Sequence, residues 1–261
     1  MHSTGADRSA VDVHARFDGF AGNDVLLLSS SLGTTLEMWD PQMEAFAREF
    51  RVLRYDRRGH GLSPVPPGPY SLDDLGGDVV RLLDREGLER VSFCGISLGG
   101  MVGMWLGAHA PDRVARLVVC CTSARIGTSE MWHERSNLVR RLGVAAVADG
   151  IRERWFTQGF RASSPEVVER VMNMVLATPS EGYAACCEAL AEADMSDVLA
   201  RIEAPTLVVA GASDPGNPPG NAEAIAAAVR DARVAVLEAA HLASAEVPEE
   251  FAATVLGHLR V

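Results

Sequence analysis

Along the chain, short apolar runs alternate with longer stretches in which apolar residues return every three or four positions. The runs are Val25-Leu26-Leu27-Leu28, Val52-Leu53-Arg54-Tyr55, Val91-Ser92-Phe93-Cys94, Leu117-Val118-Val119-Cys120, Thr206-Leu207-Val208-Val209 and Val234-Ala235-Val236-Leu237. Their near-continuous apolar character predicts strands covered on both faces, as in a mostly parallel sheet with helices on both sides. A segment around Val13 to Phe17 predicts an antiparallel edge strand. Helices are read from spacing: Leu72, Leu75, Val79, Leu82 and Leu83 share one face, as do Leu98, Met101, Val102, Trp105 and Leu106, where Pro111 ends the pattern. A last amphipathic stretch follows Pro248 and carries Phe251, Val255 and Leu259. Between Ala124 and Ser196 the strand signals vanish and the text turns helical, rich in arginine, methionine and tryptophan. This predicts a helical cap inserted between two strands, over the carboxyl ends where open α/β sheets bind ligands. The expected division is an α/β core of residues 1–123 and 197–261, with the cap at 124–196.

The 261 residues, 48% of them hydrophobic, suffice for one sizeable core. With 24 basic against 35 acidic side chains the formal charge is -11, which opposes binding to nucleic acid or to anionic membrane surfaces. Every basic residue is arginine, since the sequence contains no lysine. That excludes lysine Schiff-base chemistry and a P-loop lysine. The first residues lack the apolar core of a secretory signal, and no later run approaches a membrane span, so a cytoplasmic location is expected. The five cysteines include the pairs Cys120-Cys121 and Cys186-Cys187 but no Cys-x-x-Cys spacing, which predicts buried reduced thiols rather than a metal or redox centre. No metal or other cofactor is expected.

The segment Val91-Ser92-Phe93-Cys94-Gly95-Ile96-Ser97-Leu98-Gly99-Gly100 runs from a strand through Gly-x-Ser-x-Gly into a predicted helix. This is the nucleophile elbow in the context it requires, and it predicts an α/β-hydrolase fold with Ser97 as nucleophile. The two glycines are needed because the turn is tight, whereas the serine is pushed outward at a helix N-terminus that favours developing negative charge. A serine hydroxyl needs a base near neutral pH, and histidine suits that role. Of seven histidines, His2, His14, His109 and His258 fall at a terminus, on the edge strand or in helices. His133 falls in the cap, where it could reach a substrate, and His60 in a loop expected to brace the sheet. His241 directly follows the last predicted strand, in the chain order serine, acid, histidine that this fold uses.

The histidine requires a carboxylate to hold its tautomer and stabilise the imidazolium. Asp214, in Gly211-Ala212-Ser213-Asp214-Pro215 after the strand at Thr206, is the candidate; the turn after the preceding strand offers no acid. The oxyanion must meet preorganised backbone donors. Leu98 follows the nucleophile and supplies one. The second belongs to the loop Ser30-Ser31-Leu32-Gly33-Thr34, where the spacing to Met38-Trp39 selects Leu32. Serine at position 97, rather than a carboxylate, favours acyl transfer over alkyl displacement.

The chain resembles the 3-oxoadipate enol-lactonase family. The likeness rests on Ser31-Leu32-Gly33-Thr34 with Met38-Trp39-Asp40, on Arg54-Tyr55-Asp56-Arg57-Arg58-Gly59-His60-Gly61, on Pro64 to Asp78, and on Cys94 to Met101. Arg154-Trp155-Phe156-Thr157 and Gly182-Tyr183-Ala184-Ala185-Cys186-Cys187 also resemble it, and the fold itself does not demand these. The resemblance implies attack of Ser97 on a lactone carbonyl, ring opening to an acyl-enzyme, and release of 3-oxoadipate by water. It also implies a small carboxylated lactone as substrate, for which a local cation is needed. Arg135, near Trp132, is the expected one, or otherwise Arg154 beside Trp155; Trp132 and Trp155 are expected to line the substrate site. A monomer or small homo-oligomer is expected. Other carboxylesterases, lactonases and carbon-carbon bond hydrolases share the scaffold, as could a ligand receptor that keeps the triad.

Overall fold

A computed structural model describes residues 11–260; His2 lies outside them. The order of elements begins β1 (Ala15–Asp18), β2 (Val25–Ser29), α1 (Asp40–Phe46), β3 (Arg51–Tyr55), α2 (Leu72–Arg85), β4 (Val91–Ile96), α3 (Leu98–His109) and β5 (Val114–Cys120). Five helices follow: α4 (Ser129–Leu142), α5 (Ala145–Trp155), α6 (Gln158–Ser163), α7 (Pro165–Ala177) and α8 (Ser180–Glu192). The chain then returns to the sheet through β6 (Thr206–Gly211), α9 (Pro219–Ala228), β7 (Ala232–Leu237), α10 (Ala243–Glu246) and α11 (Pro248–Leu259).

The seven strands lie in the order β1-β3-β2-β4-β5-β6-β7. β1 runs antiparallel to β3, pairing Ala15 with Tyr55, and every other pair is parallel. Parallelism has a direct consequence. The loops after β2, β4, β6 and β7 all leave from the same edge of the sheet, so residues far apart in sequence can meet there. The central strand β4 is buried at every position, and Leu26, Leu27, Leu28, Phe93 and Val118 are inaccessible to solvent.

Two expectations need correction. β7 is not covered on both faces: as the sheet's last strand it leaves Val234 and Val236 exposed, at 37% and 48%. Nor is α3 amphipathic. It passes beneath the sheet buried on nearly every side, with Gly103 against Phe93 and Gly107 against Ile202, and half-buried Trp105 donates its indole N-H to Asp73 at 2.7 Å. By contrast α2 has the predicted apolar face, opened by a capping box in which Ser71 and Asp74 exchange hydrogen bonds.

Helices α4–α8 stand between β5 and β6. The Met195 N-H donates to Ala124 O at 2.8 Å, closing the base of this insertion. A second tie is Glu246, whose carboxylate accepts from the N-H and hydroxyl of Thr157, at 2.9 and 2.8 Å, and from Ala240 N-H at 3.2 Å. A third is a contact of bare backbones: a Cβ on Gly59, which has φ +79°, would stand 2.6 Å from Gly182 Cα. Glycine at both positions lets α8 seat directly on the loop after β3.

Candidate active site

Ser97 sits between the end of β4 and the first turn of α3 with φ +58°, a conformation that costs a non-glycine residue roughly 1–3 kcal/mol. Its surroundings hold it there. The Ser97 N-H donates to Cys120 O at 2.9 Å, and Thr122 Oγ1 donates to the Ser97 carbonyl at 2.9 Å. The flanking glycines have a steric reason. A Cβ on Gly95 would press into the Gly99 carbonyl, and one on Gly99 would stand 2.6 Å from the Ser29 carbonyl carbon and 2.7 Å from Ser30 O.

Asp214 follows β6 and is 3% exposed. One carboxylate oxygen accepts from the N-H groups of Gly216 and Asn217, at 2.9 and 3.1 Å. The other lies 2.7 Å from His241 Nδ1, in the loop after β7. Burial pulls the Asp214 carboxyl upward, but the hydrogen bond and charge of His241, with the two backbone donors, outweigh it and hold the group below the usual carboxylate range. An anionic Asp214 requires the proton on Nδ1, which leaves Nε2 free to accept one. Trp155 stacks on the imidazole, with ring centroids 5.9 Å apart, and its carbonyl accepts from Leu242 N-H at 3.1 Å.

Ser97, Asp214 and His241 line one cavity of about 360 Å³, enclosed between the sheet edge and helices α4, α5 and α8. No hydrogen bond joins Ser97 Oγ to His241 among the described residues; in unliganded sites such bonds commonly tighten only around substrate. Leu32 lines the same cavity, and Leu98 opens α3 beside Ser97. Neither the Leu32 nor the Leu98 N-H is spent on another partner among the described residues.

Trp132, Arg135, Arg154 and Trp155 all line the cavity. The Trp132 indole donates to Ile126 O, and the Arg135 guanidinium lies 5.2 Å from the Trp132 ring and 3.5 Å from Tyr183 Oη. Nearby Arg140 and Arg152 are committed to Glu181 and Glu169, whereas Arg135 and Arg154 have no carboxylate partner among the described residues. Burial and then the charge of Arg135 draw Arg154 below the usual arginine range. Two half-buried, unneutralised cations beside one another attract an anion. His133 lies elsewhere, exposed and 3.1 Å from Glu192.

Sequence reasoning missed Ser31, Tyr183 and Asn217 in this cavity. Ser31 Oγ and Asn217 Oδ1 are buried without hydrogen-bond partners among the described residues. Tyr183 and Ser31 carried a signal, as parts of the Gly182-Tyr183 and Ser31-Leu32-Gly33-Thr34 segments, whereas Asn217 carried none.

A strand-turn-helix serine, an aspartate-braced histidine at the same sheet edge and two uncommitted backbone donors are the parts of a serine hydrolase site. The chain belongs to the alpha/beta hydrolase fold family, which matches residues 24–248, and within it to the family of the 3-oxoadipate enol-lactonases. It is 43% identical over 89% of its length to 3-oxoadipate enol-lactonase 2 of Acinetobacter baylyi, covering 87% of that protein. The enol-lactonase of Burkholderia xenovorans superposes with a TM-score of 0.95 at 40% identity, covering 97% of this chain and 99% of that one. A thermophilic esterase of Thermogutta terrifontis, solved with malate bound, superposes with a TM-score of 0.90 at 32% identity, over 96% of this chain and 93% of that one. No helix among the described residues is long and apolar enough to cross a membrane.

Proposed function

We propose that this chain hydrolyses 3-oxoadipate enol-lactone to 3-oxoadipate through an acyl-enzyme on Ser97, in the β-ketoadipate route of aromatic catabolism. His241 takes the serine proton through Nε2 while Asp214 fixes its tautomer and stabilises the imidazolium. The carbonyl oxygen becomes an oxyanion facing the N-H groups of Leu32 and Leu98. Collapse expels the ring oxygen as an enolate that takes up the proton held by His241, giving an enol that tautomerises to the ketone and leaving the imidazole neutral again. Because an enolate leaves easily, little is asked of His241 as an acid in this step. Water activated by the same histidine then attacks the acyl carbonyl and frees Ser97.

The observation that carries the substrate assignment is the pair of cations, Arg135 and Arg154, lining the cavity of Ser97 with no acid of their own. A neutral ester has no use for two desolvated guanidinium groups, and a lactone bearing a carboxylate does. In this scheme Trp132 and Trp155 flank the ring and residues 124–196 act as a cap that supplies both arginines. The five cysteines, all buried and free, fit a reducing cytoplasm. The test is spectrophotometric loss of the enol-lactone with wild type and Ser97→Ala side by side. Turnover by wild type at a rate well above that on simple neutral esters, abolished in the variant, supports the assignment; faster turnover of neutral esters makes the chain a general carboxylesterase instead.

A further inference from the structure

His60 has no part in the acyl-transfer scheme, yet it is wholly buried beneath the loop that follows β2. Its Nε2 accepts the Gly33 N-H at 2.9 Å, and its Nδ1 lies 3.3 Å from Arg58 O. Since an N-H can only donate and a carbonyl can only accept, the ring proton belongs on Nδ1 and the lone pair on Nε2. Burial and the charge of Arg57 press this ring's pKa down to about 3, so the acceptor persists throughout the neutral range.

The loop it holds is the one that presents Leu32. The peptide before Leu32 is pinned through its carbonyl: Ser31 O accepts from Thr34 N-H at 3.3 Å and from Thr34 Oγ1 at 2.8 Å. The peptide after Leu32 is pinned through its N-H, by His60. Gly33 itself has φ +82°, and the Tyr183 ring packs 3.1 Å from where a Cβ would stand, so a bulkier residue in this turn would be strained. With both neighbouring peptide planes fixed, the direction of the Leu32 N-H is fixed too.

We propose that His60 is a positioning residue for the oxyanion hole: by accepting the Gly33 N-H it sets the peptide plane beside Leu32 and thereby aims the Leu32 N-H at the developing oxyanion. The proposal rests on Leu32 serving as an oxyanion donor in a serine hydrolase. A role confined to stability would alter folding without singling out the transition state. A positioning role weakens tetrahedral species more than ground-state substrate.

The experiment compares wild type, His60→Leu and His60→Gln by steady-state kinetics on a neutral phenyl ester and by inhibition with phenylboronic acid, whose serine adduct is tetrahedral. Leucine offers no acceptor, whereas glutamine can present its Oε1 near the place of Nε2. Losing one oxyanion donor costs about 100- to 1000-fold, so its misalignment in His60→Leu should lower kcat by about 10- to 100-fold. KM should stay within about twofold and the boronate inhibition constant should rise by the same factor as kcat falls, while His60→Gln recovers most of the loss. A folded His60→Leu whose kcat and boronate affinity stay within twofold of wild type overturns the proposal, as does a loss confined to KM. Should His60→Leu not fold, the wild-type tautomer measured by ¹⁵N NMR decides: an unprotonated Nε2 supports the proposal and a protonated one overturns it. Wild type that neither turns over ester nor binds boronate instead refutes the hydrolase reading beneath it, a result distinct from all of these.

Discussion

Replacing Arg135 with alanine should separate carboxylated from neutral substrates. The guanidinium is half-buried, lies 5.2 Å from the Trp132 ring and has no acid partner among the described residues, so a substrate carboxylate would be its main electrostatic contact. Two unit charges about 4 Å apart attract by roughly 4 kcal/mol at an effective dielectric constant near 20. Desolvation and partial exposure reduce this toward the ~1.5–3 kcal/mol measured for charged hydrogen bonds. At about 1.4 kcal/mol per decade, Arg135→Ala should lower kcat/KM on the enol-lactone by about 10- to 150-fold. On phenyl acetate, which carries no carboxylate, the change should stay within about threefold, the scale of a modest packing change. Arg154→Ala should behave alike, but less severely than the sum of both effects would suggest when the two are combined, because the cations share one anion and repel each other. Parallel initial-rate measurements on the two substrates are sufficient. Equal losses on both would refute carboxylate recognition by Arg135 and reduce it to a packing residue of α4.

Asp214→Asn should cut kcat by about a thousandfold or more, because a neutral amide can neither enforce the Nδ1-H tautomer nor stabilise the imidazolium. The folded-state pKa of Asp214 is depressed, so its ionic contribution to stability is present above the ordinary value of 3.8 and lost as pH falls through the depressed one; urea melts of wild type and Asp214→Asn should therefore differ less below that pH than at neutrality. For His60 the same linkage acts on a base: between 6.5 and about 3 the unfolded ring takes up a proton that the folded ring refuses, so acidification destabilises wild type by up to about 1.4 kcal/mol per pH unit from this group, and His60→Gln should show a flatter curve in urea melts. Gly99→Ala drives a methyl into the Ser29 and Ser30 carbonyls, and overpacking of about 1–3 kcal/mol should lower Tm by about 3–10 °C, whereas Gly220→Ala, with open space around it, should leave Tm unchanged or slightly raised by thermal melts.

Some of this molecule can be read directly from its residue order, and the reason is topological. In a parallel sheet the order of strands along the chain already says which loops share an edge, so Ser97, Asp214 and His241 could be named from the ends of three apolar runs. Helix burial is another matter. α3 reads as amphipathic from its Leu98, Met101, Val102, Trp105 and Leu106 stripe, yet its other faces carry only glycine, alanine and Met104 before His109, and glycines at 103 and 107 let them pack closely as well. β7 reads like an inner strand because Val234 and Val236 are β-formers, but nothing in a local pattern marks a sheet's last strand. The cavity walls were harder still. Ser31, Tyr183 and Asn217 enter the site through the rotation of α8 and the fine course of two loops, neither of which a spacing rule encodes. His60 reads as a brace for the sheet; it is the loop before α1, through Gly33, that it holds.

The proposed chemistry requires His241 to make Ser97 nucleophilic across the shared cavity. The most direct measurement is reaction with a fluorophosphonate, followed by peptide mass spectrometry to locate the adduct and by the labelling rate in His241→Ala. A single adduct on Ser97, none in Ser97→Ala, and labelling slowed by two or more orders of magnitude without His241 are the predicted results, on the scale of about 100- to 10,000-fold for a general base. An adduct on another residue, or labelling of Ser97 at an undiminished rate without His241, would contradict it.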